Sequence, residues 1–341
     1  MYRGNKLLIS LLFEAVTFGC CLVYGVYREA HDETAYQLII ITKYGSKNTC
    51  FCSIITIFVS NFRNINMERK LFCEISPFTY RLSVEKEILK RHLKDFLQKT
   101  HFARVRTETP LPVSIYRHNS LIRRRLGNVN MQLQENKATN LALAVTHING
   151  LLIRPGETFS VWRQIGRTTK RKGYKEGLTI AKGRPDQGIG GGLCQLSNLI
   201  HWMVLHSDLT IVEHHHHDGL DLFPDFGRQI PFGTGTSISY NYIDYRVRND
   251  TNNTYQLRLW VNDEYLCGEL HAAEQQPHTF HIHAENEFFS REDGIVYRNG
   301  QVYRDTIDRT TGRVLDSQLI RTNHARVMYE CPPNIVIKEL S

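Results

Sequence analysis

Residues 188–198 read Gly-Ile-Gly-Gly-Gly-Leu-Cys-Gln-Leu-Ser-Asn, and the apolar residues after them recur at helical spacing. A cysteine placed there stands at a helix start. Unpaired amide N–H groups and the positive end of the helix dipole favour thiolate at such a position. Glycine at 190, 191 and 192 permits positive φ and close backbone approach, which predicts an open elbow around the Cys194 sulfur. The same amides can hold an oxyanion, with Gln195 as a further donor. Gly190, Gly191, Gly192, Gln195 and Ser197 are therefore the candidate substrate-binding set, with Cys194 the candidate nucleophile. A phosphate loop fits less well, because the Gly-Lys-Ser/Thr ending is missing.

A thiolate nucleophile needs a base that can also protonate the leaving group, and four histidines, His214 to His217, follow a predicted strand. Alternate residues of an extended segment share a face, so His215 and His217 point together and His214 and His216 point the other way. His215 or His217 is the expected base. Asp244, on a later strand, is the expected orienter of that base, with Asp218 second. The order Cys, His, Asp on a helix start and successive strands has the architecture of papain-like and transglutaminase-like enzymes, as an architectural likeness only. Each residue also has a plainer reading. Cys194 can be a packing residue, Asp244 can satisfy backbone groups, and the glycine loop can cradle a ligand without reacting with it. Zinc held by Cys194, His215 and His217 is a third alternative, but Cys50 and Cys52 form a lone C-x-C pair without the usual second pair. The reading includes no metal and no cofactor.

These side chains need elements to hold them. Ile88, Leu89, Leu93, Phe96 and Leu97 predict an amphipathic helix over 83–99 with Ser83 as N-cap. An arginine-rich connector with Pro110 and Pro112 precedes a second helix over 134–149, which stops at Asn149-Gly150. The third helix runs from Cys194 to about His206. Strands are expected over 178–181, 209–213, 236–240, 244–248, 255–261 and 265–270. Helices first and antiparallel strands afterwards define an α+β fold rather than a doubly wound one. Alternating runs over 279–329, with Arg298-Asn299-Gly300 as a hairpin turn, form a small β appendage. The expected division is a helical region and connector over 67–132, a core over 133–270, and the appendage and tail over 271–341. Residues 1–66 are an N-terminal extension preceding a start at Met67, or a membrane anchor through the apolar stretch 7–27. No sustained period runs through 28–65.

The 341 residues are 41% hydrophobic and allow a sizeable core. A net charge of +8 favours anionic partners. The basic residues are scattered, however, and no nucleic-acid motif accompanies them, so nucleic acid is not an expected partner. Eight cysteines in a chain of this length are too few and too uneven for a disulfide framework. A reducing, cytoplasmic setting follows, or a membrane-associated one if 7–27 is an anchor. Oligomeric state is left open.

The chain resembles the VanW family, accessory proteins found with vancomycin B-type resistance. The resemblance is carried by Asn149-Gly150, by Ile153-Arg154-Pro155-Gly156-Glu157-Thr158-Phe159-Ser160, by Gly173-Tyr174-Lys175-Glu176-Gly177 and by Gly190-Gly191-Gly192-Leu193-Cys194-Gln195-Leu196-Ser197-Asn198-Leu199. It continues through Ile211 to His217 and Ser239 to Asp250, and its core covers about residues 133 to 270. The family usually has arginine where His214 stands, so only His215 and His217 match its histidines. The resemblance implies a role in glycopeptide resistance without assigning a reaction. The glycine elbow and the Cys, His, Asp order make a Cys–His enzyme acting on an amide of a cell-wall peptide or its precursor the expected activity, with a noncatalytic binding module for such a ligand as the alternative and a zinc-binding protein third.

Overall fold

Apolar periodicity in two helices sets the core. In α2 (Met131–Thr146) it gathers Leu141, Ala144 and Val145 on one face, and in α4 (Cys194–Val204) it gathers Leu196, Leu199, Ile200, Met203 and Val204; all eight are buried. The computed structural model describes residues 22–29, 36–44, 51–59, 71–123, 131–181, 184–216, 219–221, 224, 230–240, 242–332 and 335–339. The receiving surface is a four-stranded antiparallel sheet of β4 (Val113–Leu121), β13 (Tyr265–Ala272), β12 (Tyr255–Val261) and β5 (Leu151–Ile153), in that order. Helix α2 lies on β12, and α4 lies on β13 and β4. A Cβ on Gly268 of β13 would press into Leu199 and Met203, so the missing side chain is what lets α4 seat closely.

Beside this layer stands a short antiparallel sheet, β6 (Thr158–Ser160), β11 (Arg246–Arg248) and β9 (Thr210–Glu213). Ser160 caps the five-residue helix α3 (Val161–Ile165). A separate hairpin joins β7 (Glu176–Ala181) to β8 (Arg184–Ile189). The C-terminal part is a meander of long strands, β14 (His278–Glu292), β15 (Ile295–Asp308) and β16 (Val314–Val327), edged by β10 (Leu220–Asp221) and β17 (Ile337–Glu339) running parallel to their neighbours. Trp202 and Leu205 from the end of α4 pack with Ile282 and Val302 of this meander, so one helix serves both sheets. The fold is α+β and rich in antiparallel strands, and the stretch read as a connector before α2 contains β4, an edge strand of the central sheet.

Contacts divide the chain between Leu71 and Phe72, which places the core and the C-terminal meander in one unit. In the first unit, β1 (Leu22–Glu29), β2 (Tyr36–Tyr44) and β3 (Phe51–Val59) form an antiparallel meander of their own. No strand period was legible there because apolar β-branched residues run consecutively, as in Ile39-Ile40-Ile41, instead of alternating. Residues 7–21 of the apolar stretch lie outside the described residues, and its end forms part of β1. Among the described residues, no helix is long and apolar enough to cross a membrane.

Three local expectations are corrected. The first helix begins at Pro77, not Ser83: Ser76 and Thr79 form a capping box, and Pro77 occupies the first turn. The turn joining β14 to β15 falls at Asp293-Gly294, whose φ values of 48° and 77° suit a two-residue hairpin. Asn299-Gly300 then lies inside β15, opposite a bulge between Glu285 and Phe288. Residues 236–240 form no strand apart from one bridge, because side chains and loop carbonyls take their amides, as in Thr236 N–H to Asn198 Oδ1 at 2.6 Å.

Helix α1 (Pro77–Leu97) is set against this body by charge. Its Arg91 makes a bidentate pair with Glu213 of β9, and its Asp95 pairs with Arg246 of β11 at 2.5 and 3.0 Å. Arg246 also donates from Nε to Asp244 at 2.9 Å. Burial works against the Arg246 charge, but the Asp95 and Asp244 carboxylates outweigh it and hold its pKa above the ordinary arginine value. Arg246→Ala leaves two carboxylates without their cation, one of them fully buried, and is expected to cost about 3–5 kcal/mol. Urea unfolding measures this, and an unchanged midpoint would show the pair to be dispensable.

The glycine run before α4 is a packing device. A Cβ on Gly191 would collide with the Gly177 carbonyl, and one on Gly177 with the Gly191 carbonyl, so two backbones cross where neither can carry a side chain. Asn140 of α2 clamps the crossing: its Nδ2 donates to the carbonyls of Lys175 and Gly191 at 3.0 and 2.9 Å, and its Oδ1 accepts from the Lys175 N–H at 2.8 Å. Gly191→Ala should destabilise the protein by about 1–3 kcal/mol through overpacking. Thermal unfolding of that variant tests the crossing, and a wild-type midpoint would contradict it.

Candidate functional site

Cys194 occupies the first position of α4, as its place after the glycines predicts, but the amides around it are largely committed. Gln195, Leu196 and Ser197 donate their N–H groups to the carbonyls of Gly192 and Leu193 at 3.0–3.3 Å, which continues the turn from the loop into the helix. Gly190 and Gly192 take φ of 79° and 90° to make that turn. The Gln195 side chain donates to the Ser120 hydroxyl and the Leu121 carbonyl, both at 2.9 Å, which fastens α4 to β4. The Ser197 hydroxyl donates to the Cys194 carbonyl at 3.0 Å and meets the Thr236 hydroxyl. Burial pushes the Cys194 thiol above its ordinary pKa; the backbone N–H groups of Ile238 and of Cys194 itself pull it only partly back.

The histidines alternate along their segment, and the face turned toward α4 is that of His214 and His216. The His214 ring lies 4.2 Å from that of His201 and 4.0 Å from that of His216, centroid to centroid. His214 Nε2 donates to the Gly235 carbonyl at 3.3 Å, and His201 Nδ1 shares a hydrogen bond with the Tyr245 hydroxyl at 3.1 Å. His215 is turned to Glu213, with Nε2 3.0 Å from Oε1. Its backbone carbonyl accepts from the Ser237 N–H at 2.7 Å. The segment 236–238 thus lies between it and Cys194. His217 and Asp218 lie outside the described residues.

Asp244 is fully buried and saturated. It accepts from the Ser160 hydroxyl at 2.5 Å, from the Trp162 and Tyr245 amides at 3.2 and 2.9 Å, and from Arg246. Its own N–H donates to Glu213 Oε1. The carboxylate that orients His215 is therefore Glu213. Burial opposes the charge of Glu213, but Arg91 and His215 outweigh it and hold the carboxyl below its ordinary value. Among the described residues, no three of His, Cys, Asp or Glu are grouped to hold a metal ion. The His214 ring stands against those of His201 and His216, tilted by 36° and 54°.

What the fold does build is a cavity of about 520 Å³ between the end of α4, β9 and the meander strands. Its polar lining comes from His201, His214, His216, His278, Asp208, Arg304 and Arg321, with the hydroxyls of Thr210, Thr234 and Thr306. Arg304, on β15, donates to the carbonyls of Leu205 and Ser207 at 2.7 and 2.6 Å and stacks on Phe280 at 3.9 Å. It therefore closes the C-terminal end of α4, where a cation is favourable. Asp208 is taken up by His278 at 2.7 Å. Burial lowers the His214 pKa to about 4, with the neighbouring His216 adding to the effect, and lowers that of His201 well below the ordinary range. Both rings are neutral at pH 7. Sequence reasoning missed His201 and Arg304. His201 stands seven residues after Cys194 on the same face of α4, a signal that was available, whereas nothing local marks Arg304.

Comparison with known proteins follows the same residues. The family model described as VanW like protein matches residues 136–271. The "Vancomycin B-type resistance protein VanW" of Enterococcus faecalis (strain ATCC 700802 / V583) is 38% identical over 226 residues, 66% of this chain and 79% of that protein. The "Uncharacterized protein YoaR" of Bacillus subtilis (strain 168) is 30% identical over 127 residues, 36% of this chain and 39% of its own length. No solved structure matches. With the glycine crossing, the first turn of α4 and the Glu213–Asp244 neighbourhood all inside the matched region, the chain belongs to the VanW family.

Proposed function

We propose that this protein is a noncatalytic binding module acting in glycopeptide resistance, with the anionic end of a cell-wall peptide or its lipid-linked precursor as ligand. The cavity carries this reading. It holds two arginines, its histidines His201 and His214 are neutral, and its carboxylate Asp208 is already engaged with His278. A carboxylate or phosphate entering there meets charge-assisted donors in a partly dehydrated setting. The residues around Cys194, by contrast, are occupied in holding α4 to β4 and to the loop at 236–238. A thiol enzyme is the second reading. The Glu213–His215 pair favours it, being a ready base with its own orienter close to the segment that covers Cys194.

Calorimetric titration with a muramyl pentapeptide, and with the same peptide amidated at its C-terminus, separates the two readings. The binding module predicts saturable binding that amidation weakens, that Arg304→Gln or Arg321→Gln weakens by about tenfold or more, and that Cys194→Ser leaves unchanged. Absence of binding by the wild-type chain would sink it. Release of product by wild type, abolished in Cys194→Ser, would establish the thiol enzyme in its place.

The neutral histidines make a further prediction. His206 and His214 both titrate near pH 4 in the folded chain and near the ordinary 6.5 when unfolded. The unfolded chain therefore binds more protons between those values. The stability this contributes is complete above about pH 6.5 and is lost as pH falls toward 4, at about 1.4 kcal/mol per pH unit for each histidine. Urea unfolding from pH 7 to 4.5 should show that slope, reduced in His206→Gln. A flat profile would mean that both rings are solvated.

A further inference from the structure

Helix α1 faces the wrong way for an ordinary amphipathic helix. The face it turns to the body is charged: Arg91 and Asp95 are engaged there in ion pairs, and Ile88 is its one buried apolar residue. Its apolar face is turned outward. Phe78, Leu82, Leu89, Leu93 and Phe96 share one side, with Phe78 73% exposed, Leu89 69% and Phe96 79%, and Leu97 flanks them at 68%. The preceding turn adds Phe72 and Ile75, also exposed. A contiguous apolar surface of this kind marks a contact that the described fold does not make.

The charges around the stripe say what that contact is. Residues 77–99 carry six lysines and arginines against three carboxylates. All three carboxylates are neutralised: Glu85 by Arg167, Glu87 by Lys86 and Lys90, and Asp95 by Arg246. Arg81, Lys94 and Lys99 have no carboxylate partner among the described residues. Phenylalanine and leucine on one side, bordered by lysines on long flexible stems, is the composition of a helix that lies in the plane of a bilayer surface. A second copy of the chain would bring two such lysine borders together, whereas anionic lipid neutralises them.

We propose that α1 docks this protein on an anionic lipid surface, its apolar face entering the headgroup boundary and its lysines meeting the lipid charge. The docking is peripheral. The Arg91–Glu213 and Asp95–Arg246 pairs stay intact and fix the orientation of the body on the surface, because both use the opposite side of the helix. This inference stands independently of the cavity and its ligand.

Cosedimentation of the full 341-residue chain with large vesicles tests it, comparing phosphatidylglycerol mixed with phosphatidylcholine against phosphatidylcholine alone. Binding to the anionic vesicles should be about tenfold stronger or more and should weaken with added salt. The double variant Leu89→Glu with Phe96→Glu should lose it, while keeping the wild-type circular dichroism and thermal midpoint, since both residues are exposed. Lys90→Glu and Lys94→Glu should each weaken it about fivefold, giving a second route if the double variant fails to fold. No binding to anionic vesicles would overturn the proposal, as would binding that these substitutions leave untouched, which would belong to another segment. A dimer in sedimentation velocity that the same substitutions dissolve would also overturn it, by making a second copy the occupant of the face.

Discussion

The guanidinium of Arg246 is the point on which the arrangement turns. It stands on a short central strand, is nearly buried, and meets Asp95 from one side and Asp244 from the other. Asp244 in turn collects the Ser160 hydroxyl and the start of α3, and passes its own amide to Glu213, which holds both Arg91 and His215. Helices α1 and α3 and strands β9 and β11 are therefore joined by one chain of charges. Such a network is unforgiving, because each member is desolvated on the assumption that its partner is present. It also explains why the two carboxylates nearest the candidate base have different work: Asp244 is locked into the frame, and Glu213 keeps an oxygen for a histidine.

Much of the frame was legible before any coordinates. The periods of α2 and α4 are strong, α4 begins at Cys194 as its glycines require, and β9, β12 and β13 were legible from local pattern, whereas β4 was hidden in an arginine-rich stretch read as a connector. The helix starting near residue 77 was legible as amphipathic, yet periodicity does not state which side meets the protein, and here ion pairs reverse the usual choice. The hairpin turn was misplaced because two turn-forming dipeptides, Asp293-Gly294 and Asn299-Gly300, compete six residues apart, and the register of long strands decides between them. The site was harder still. Gly191, Gln195 and Asp244 have the residue types of a reactive centre, but a side chain's partners are tertiary facts, and theirs turn out to be a backbone crossing, a strand edge and an arginine.

Membership of the VanW family and the physical reading bear on different parts of the molecule. The matched region stops at residue 271, just before the meander begins. The wall of the cavity that carries Arg304 and Arg321 comes from that meander, while the opposite wall comes from α4 and β9 inside the matched region. The family model thus covers one wall of the cavity and stops short of the other.

The central sheet has one more consequence, for the order of events as the chain is made. Its strands β4 and β5 come early, but they pair with β13 and β12, and the ion pair from Arg117 to Glu269 spans 152 positions. During synthesis, α2 and α4 leave the ribosome with their apolar faces formed and no sheet to receive them. They remain so until residue 272 has emerged. The nascent chain therefore carries the apolar face of α2 through more than a hundred residues of elongation and that of α4 through a shorter stretch, and long-range pairing of this kind is slow to close. For this protein, the interval before β12 and β13 arrive is when chaperones and stray partners have their greatest access to it.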